Sequence, residues 1–167
     1  MPLTKLETTA ALVVIDLQKG TVGLPTVHPA EEIISRAAQL ARAFRSRGLP
    51  VVLVHVTAFP APLIGPNWLL NWSGTPTTTS SPSNDGARSW AQTWTCVRRG
   101  VTQVVLAGIS TSAGVESTAR SAYDLGCNVV LVKDAMTDRD AEVHRLSVEK
   151  IFPVWARPTL PPGCCNC

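Results

Sequence analysis

The chain has 167 residues, of which 45% are hydrophobic and 16% charged, and its formal net charge is +3. This length and composition suit one globular domain with a continuous core, so we expect residues 1–167 to form a single domain. The basic residues form no cluster interleaved with aromatic residues, so we expect no nucleic-acid partner. No apolar run approaches the roughly 18 residues of a membrane span, and no basic, apolar leader opens the chain. We therefore expect a cytoplasmic protein with no membrane partner.

The five cysteines do not have the spacing of a metal site. Cys164, Cys165 and Cys167 lie among the last four residues, whereas Cys96 and Cys127 stand alone. A structural zinc site normally uses two C-x-x-C pairs, or one such pair with histidines. We therefore expect neither a metal ion nor another cofactor.

Strand and helix patterns alternate along most of the chain. Residues 10–17 form an apolar run rich in β-branched residues, which is typical of a parallel strand buried on both faces. Hydrophobic residues at helical spacing predict a helix from about Pro29 to Arg47, ended by Gly48. Similar patterns predict three further strands, in 49–56, 101–109 and 128–135, and two further helices, in 114–125 and 141–152. The fold class predicted is α/β, a three-layer Rossmann-like parallel sheet flanked by helices.

In open parallel sheets, ligands bind beyond the carboxyl ends of the strands. The predicted elements place Asp16, the segment from Ser110 to Gly114, and Asp134 at that edge. The candidate site is therefore sought among these residues.

Two segments resemble isochorismatase-like hydrolases of the cysteine hydrolase superfamily. ALVVIDLQKG, at residues 11–20, is similar to the first strand of that family, and residues 108–138, which begin GISTSAGVESTA, are similar to its signature turn and helix. The resemblance implies the same parallel α/β fold and a small-molecule substrate. It also implies a homo-oligomer, because such assemblies are common in the family.

The resemblance implies specific catalytic roles. Members that use a cysteine carry an aspartate after the first strand, a lysine in mid-chain and a cysteine at the start of the signature helix. By resemblance Asp16 is that aspartate, and Gly114 occupies the position of the nucleophilic cysteine. Without a nucleophile there is no covalent acyl chemistry. Members that hydrolyse isochorismate show a similar pattern, with the aspartate acting as general acid on a vinyl ether.

The leading interpretation is therefore a hydrolase of a small molecule that uses Asp16 as general acid or base without a covalent step. The alternative is a catalytically inactive relative that binds a ligand or oligomerises. A nucleotide-binding α/β domain is a third interpretation, but DLQKGTVG, after the first strand, lacks the G-x-G-x-x-G pattern.

The turn before the signature helix is predicted to bind the substrate. Ser110, Thr111, Ser112 and Ala113 offer hydroxyl and backbone N–H groups to an anion or a developing oxyanion. The alternative role for the hydroxyl groups is helix capping, since Ser and Thr are favoured at helix starts.

Other polar residues have less specific contexts. Cys127 lies beyond the signature helix and cannot replace the nucleophile. His144 and Asp138 are expected to be ordinary surface or core residues, Asp134 to border the site, and Lys19 to be exposed.

Residues 60–96 break the alternating pattern. They contain four of the five tryptophans, and no lysine occurs between Lys19 and Lys133, where the family's lysine would lie. This composition suggests that 60–96, and the cysteine-rich residues 154–167, are translated out of frame from a GC-rich gene. One permitted choice of codons, read two bases later, gives peptides with V-V-T-K and G-T-D-L, which would restore the lysine. Gene sequences that yield no such peptide in any frame would exclude this hypothesis.

Overall fold

The computed structural model describes residues 6–54 and 99–155, and the backbone of 157–158. Within them, five strands form one parallel sheet in the order β2-β1-β3-β4-β5. The strands are β1 (Ala10–Ile15), β2 (Val51–Val54), β3 (Gln103–Ile109), β4 (Asn128–Thr137) and β5 (Arg157–Pro158). The predicted parallel α/β sheet is confirmed.

Helices cover both faces of this sheet. They are α1 (Lys19–Val22), α2 (Ala30–Ser46), α3 (Glu116–Asp124), α4 (Ala141–Leu146) and α5 (Phe152–Trp155). A π-helical turn, Thr111–Val115, leads into α3, and a second one, Ser147–Ile151, joins α4 to α5.

The core has two halves, one on each face of the sheet. All six residues of β1 are buried. Leu12 and Val14 pack with Ile33 and Phe44 of α2 and its neighbours, whereas Val13 and Ile15 belong to the opposite half. Successive side chains of a strand point to opposite faces, so a strand buried on both faces has to be apolar at every position. Each fully buried aliphatic side chain of this kind stabilises the fold by about 1.5–3 kcal/mol.

Strand β4 is longer and less regular than its sequence pattern predicts. Leu106 of β3 pairs with Leu131, but Gly108, two residues later, pairs with Met136, so the register shifts between them. Asp134 lies in this irregular stretch, is exposed, and forms an ion pair with Arg36 of α2 at 2.6 Å. Asp134 was expected to border the site, near the end of a strand in 128–135. The strand continues to Thr137, and Asp138 is the carboxylate that follows its carboxyl end.

The stretch 60–96 lies outside the described residues. Of 154–167, Val154 and Trp155 end α5, and Arg157–Pro158 pair in parallel with Val130 and Leu131 of β4. In the part of the chain that the structure describes, no helix is long and apolar enough to cross a membrane. Nor do the described side chains include a group of three or more His, Cys, Asp or Glu residues arranged to hold a metal ion.

Candidate active site

Strand β1 places Asp16 at the carboxyl edge of the sheet. Asp16 follows the last residue of β1 and is buried, with 9% of its surface exposed. Its backbone N–H donates to the Val54 carbonyl at the end of β2, at 2.9 Å, and its carbonyl accepts from Gln18 N and from the hydroxyl of Thr21. Its φ of +52° lies in the left-handed region, which Asp and Asn tolerate better than most residues. The chain therefore turns sharply as soon as the strand ends.

Gly114 faces this carboxylate. An ideal Cβ built on Gly114 would lie 3.4 Å from Asp16 Oδ2 and 2.8 Å from Ile15 Cγ2. A side chain at position 114 would thus start beside the carboxylate. The structure brings together the two residues that the resemblance assigned to the site, and it leaves the space between them free of any side chain from position 114.

The turn from Ser110 to Ala113 lies next to this pair, at the start of the helical segment that contains Gly114. The Ser110 carbonyl accepts from Ala113 N and Val115 N, and the Ser110 side chain makes no capping hydrogen bond. Ser110 is half-buried, Thr111 is buried and Ala113 is exposed. The peptide bond between Ile109 and Ser110 is cis.

The Thr111 and Ser112 hydroxyl groups already have partners within the protein. Thr111 Oγ1 lies 2.9 Å from His144 Nδ1 of α4. Ser112 donates both its backbone N–H and its hydroxyl to Asp138 Oδ2, each at 2.7 Å. The sequence offered two roles for these hydroxyl groups, substrate binding and helix capping. These contacts favour a structural role for both side chains.

Asp138 and His144 were expected to be ordinary residues, yet both contact the turn. Asp138 is 5% exposed, and its second carboxylate oxygen, Oδ1, accepts from Arg139 N at 2.7 Å. The available sequence signal for Asp138 was its place directly after a strand, but the predicted strand ended at residue 135, two residues before the observed end at Thr137.

Cys127 lies far from the turn in the fold, at the other end of α3. It is buried, and its Sγ atom lies 3.9 Å from the Val101 carbonyl oxygen. Burial raises the pKa of its thiol, and the charge of Glu7 adds to this effect. A buried thiol with a raised pKa is a poor nucleophile. Both its place and its chemistry agree with the expectation that Cys127 does not replace the family's cysteine.

His144, which contacts Thr111 of the turn, has a shifted pKa. Burial lowers its pKa below the ordinary value of 6.5, the neighbouring His28 lowers it further, and Asp138 opposes the shift. The His28 and His144 rings meet edge to face, with centroids 5.0 Å apart. His144 is therefore mainly neutral at pH 7. Its Nδ1 atom forms a hydrogen bond with the Thr111 hydroxyl group.

This shift predicts how stability depends on pH. Because the folded state holds the proton on His144 more weakly than the unfolded state, the unfolded state binds more protons as the pH falls below about 6.5. The free energy of unfolding should therefore decrease as the pH is lowered from 6.5 through the pKa of folded His144. The His144→Gln variant should lack this part of the decrease, as measured by urea unfolding at pH 7.5 and pH 5.5.

An NMR titration of the imidazole signals provides an independent check. His144 should titrate below 6.5, and the His28→Gln variant should raise its pKa by removing the neighbouring charge. A His144 that titrates at or above 6.5 would contradict the burial of its ring.

The parallel sheet, with a buried carboxylate at its carboxyl edge facing a helix start, defines an α/β protein with its candidate active site at that edge. A sequence profile of the isochorismatase domain matches residues 10–92 and 91–160. The uncharacterised isochorismatase family protein YecD of Escherichia coli O157:H7 is 39% identical, over 89% of this chain and 90% of that protein. The chain belongs to the isochorismatase family, which confirms the resemblance seen in residues 11–20 and 108–138.

Solved structures agree with this assignment. An isochorismatase family protein from Burkholderia thailandensis is 32% identical, with a TM-score of 0.77 and coverage of 92% of both chains. The YcaC gene product of Escherichia coli, described as an octameric hydrolase of unknown specificity, has a TM-score of 0.74. It is 22% identical, with coverage of 95% of this chain and 79% of that one, so this likeness shows the fold alone.

Proposed function

We propose that the protein hydrolyses a small molecule with Asp16 as general acid or base and without a covalent cysteine step. The observation that carries this proposal is the geometry of Asp16 and Gly114. The Asp16 carboxylate faces the backbone of Gly114, where a Cβ would lie 3.4 Å from Oδ2. The site thus offers a buried proton-transferring group and no nucleophilic side chain at position 114.

A vinyl ether such as isochorismate suits this chemistry. Protonated Asp16 would donate its proton to the terminal vinyl carbon, which leaves a positively charged carbon stabilised by the ether oxygen. Water would add to that carbon, and the resulting hemiketal would break its C–O bond to release an alcohol and a carbonyl compound. Asp16 would regain a proton from the attacking water. One proton carrier and a site that orients the substrate are sufficient for these steps.

The turn supplies the second part of the proposed site. Ser110 is the turn residue whose hydroxyl group has no described hydrogen-bond partner, and Ala113 is exposed, while Thr111 and Ser112 contact His144 and Asp138. We propose that the turn binds the substrate mainly through Ser110, Ala113 and its backbone. Thr111 and Ser112 would hold the turn in place through their contacts with His144 and Asp138.

An amide substrate is less well matched. Hydrolysis of an unactivated amide normally uses a covalent nucleophile or a metal-activated water. Gly114 provides no nucleophile, and the sequence has no lysine between Lys19 and Lys133 to complete the family's usual site. The same absences support the alternative, a relative that binds a ligand without turning it over.

The test is turnover of isochorismate by the purified chain, beside a panel of small amides that includes nicotinamide and pyrazinamide. We expect release of pyruvate from isochorismate and no ammonia from the amides, with Asp16→Asn as the inactive control. If the wild type releases ammonia from an amide and Asp16→Asn does not, the substrate class is an amide and not a vinyl ether. A folded protein that binds isochorismate without turnover would favour the inactive relative.

We further propose that the chain forms a homo-oligomer. Large apolar side chains are exposed on α3 to α5, where Tyr123, Leu146 and Val154 are 50%, 47% and 65% exposed. The YcaC gene product of Escherichia coli, which has the same fold, is described as octameric, and this motivates the proposal. Sedimentation velocity at micromolar concentration should give a mass that is a multiple of 17.8 kDa, and a monomer would contradict the proposal.

A further inference from the structure

Asp138 is a buried carboxylate whose described hydrogen bonds include two from a single turn residue. Oδ2 accepts the backbone N–H and the hydroxyl of Ser112, and Oδ1 accepts the N–H of Arg139. The three bonds are each 2.7 Å long, which is typical of hydrogen bonds to an ionised acceptor. A carboxylate held in this way has a fixed orientation.

These contacts cap the helical segment from a neighbouring strand. The first N–H groups of a helix have no partner within the helix, and a side chain at the N-cap usually accepts from one of them. Ser110 stands at this N-cap, but its side chain makes no such bond. Asp138, delivered by the end of β4, accepts the N–H of Ser112 instead. Its negative charge also suits the positive end of the helix dipole.

The end of β4 that carries Asp138 is itself anchored. The Asp138 carbonyl accepts from Val27 N at 2.8 Å, and the side chain of the preceding residue, Thr137, accepts from His28 N at 3.0 Å. The segment before α2 thus fixes the strand end, and the strand end fixes Ser112. Gly114, two residues further along the same turn, is the residue that faces Asp16.

We propose that Asp138 is a positioning residue, which holds the turn so that Gly114 stays against the Asp16 carboxylate. This inference rests on the proposed function, in which Asp16 transfers the proton. A misplacement of about 1 Å in an active site costs roughly 100-fold in rate. The Ser112 bonds therefore contribute to catalysis through geometry, and Asp138 need not touch the substrate.

Asp140 provides a matched control for Asp138. It lies two residues away and also caps a helix, because its Oδ1 accepts from Glu142 N and Val143 N at the start of α4. The substitutions Asp138→Asn and Asp140→Asn make the same chemical change in the same kind of cap. The two variants differ in which helix start is released. Asp138 bonds directly to Ser112 of the turn, whereas Asp140 bonds to the start of α4, which reaches the turn only through the contact of His144 with Thr111.

The first experiment compares amide NMR spectra and needs no substrate. Asp138→Asn should shift the amide signals of Ser112 and Arg139, which donate to its carboxylate. In the wild-type background, Asp16→Asn should shift the Gly114 amide signal, because Gly114 lies against the Asp16 carboxylate. In the Asp138→Asn background this response of Gly114 to Asp16→Asn should weaken at least two-fold, whereas the Asp140→Asn background should preserve it. A Ser112 amide signal that does not change in Asp138→Asn, or an unchanged Gly114 response in that background, would overturn the proposal.

The second experiment separates positioning from simple stability. With isochorismate as substrate, Asp138→Asn should lower kcat about 10- to 100-fold with little change in KM, and Asp140→Asn should leave both within two-fold. Equal losses in the two variants would reduce Asp138 to a structural cap and overturn its positioning role. If the wild type does not turn over isochorismate while the Gly114 response behaves as expected, the proposed function fails and the control of the turn by Asp138 stands.

Discussion

Asp16→Asn should reduce turnover by about 100- to 10,000-fold, the usual contribution of a general acid or base. Asparagine has nearly the same shape as aspartate but carries no exchangeable carboxyl proton. It also tolerates the φ of +52° at this position, which alanine would occupy only with strain. The loss of activity should therefore come without a large loss of fold, and a comparison of kcat, KM and thermal unfolding will show it.

Asp134→Asn is the matched control for this prediction. Asp134 is a carboxylate that the sequence also placed near the site, but it is exposed and paired with Arg36 on the side of α2. Its replacement should change kcat by less than two-fold. If Asp16→Asn keeps more than half of the wild-type activity, proton transfer by Asp16 is excluded, whatever the substrate.

Most of the fold could be predicted from the sequence because buried strands and helices place apolar residues at regular positions along the chain. Every residue of β1 is buried, and its uninterrupted apolar run identified it directly. Helix α2 was predicted within one residue at each end, because its apolar residues recur on one face and Gly48 follows it. The end of β4 was missed. Its register shift depends on how it pairs with β3, and no local pattern encodes that pairing.

The candidate site was predictable in part for a similar reason. Asp16 and Gly114 follow neighbouring parallel strands, so topology alone brings them to one edge, and the resemblance singled them out. The partners of Thr111 and Ser112 were not predictable. His144 and Asp138 lie 33 and 26 residues away from them in the chain. A serine or threonine hydroxyl accepts many partners, and only the packed structure decides which one is within reach.

The close contact between β1 and β3 depends on Gly108. Its φ is +130°, and an ideal Cβ there would lie 2.7 Å from Ile15 N, 2.8 Å from Ile15 C and closer still to the Ile15 carbonyl oxygen. Backbone atoms inside a sheet cannot move away without breaking the ladder that pairs Ile15 with Gly108. Gly108→Ala should therefore lower the free energy of unfolding by about 4 kcal/mol or more, at the upper end of single substitutions. It should also displace Asp16, the next residue after Ile15.

Gly126→Ala separates the clash from the cost of backbone conformation. Gly126 also has a positive φ, +81°, but a Cβ there would meet nothing within 4 Å. Alanine in a left-handed conformation costs about 1–2 kcal/mol, and that is the loss expected for Gly126→Ala. Urea unfolding of both variants gives the comparison. Equal losses in the free energy of unfolding would mean that β1 and β3 do not approach as closely as the structure shows. A loss at least two-fold larger in Gly108→Ala than in Gly126→Ala would establish the contact between β1 and β3 as the constraint that fixes Asp16 at the edge of the sheet.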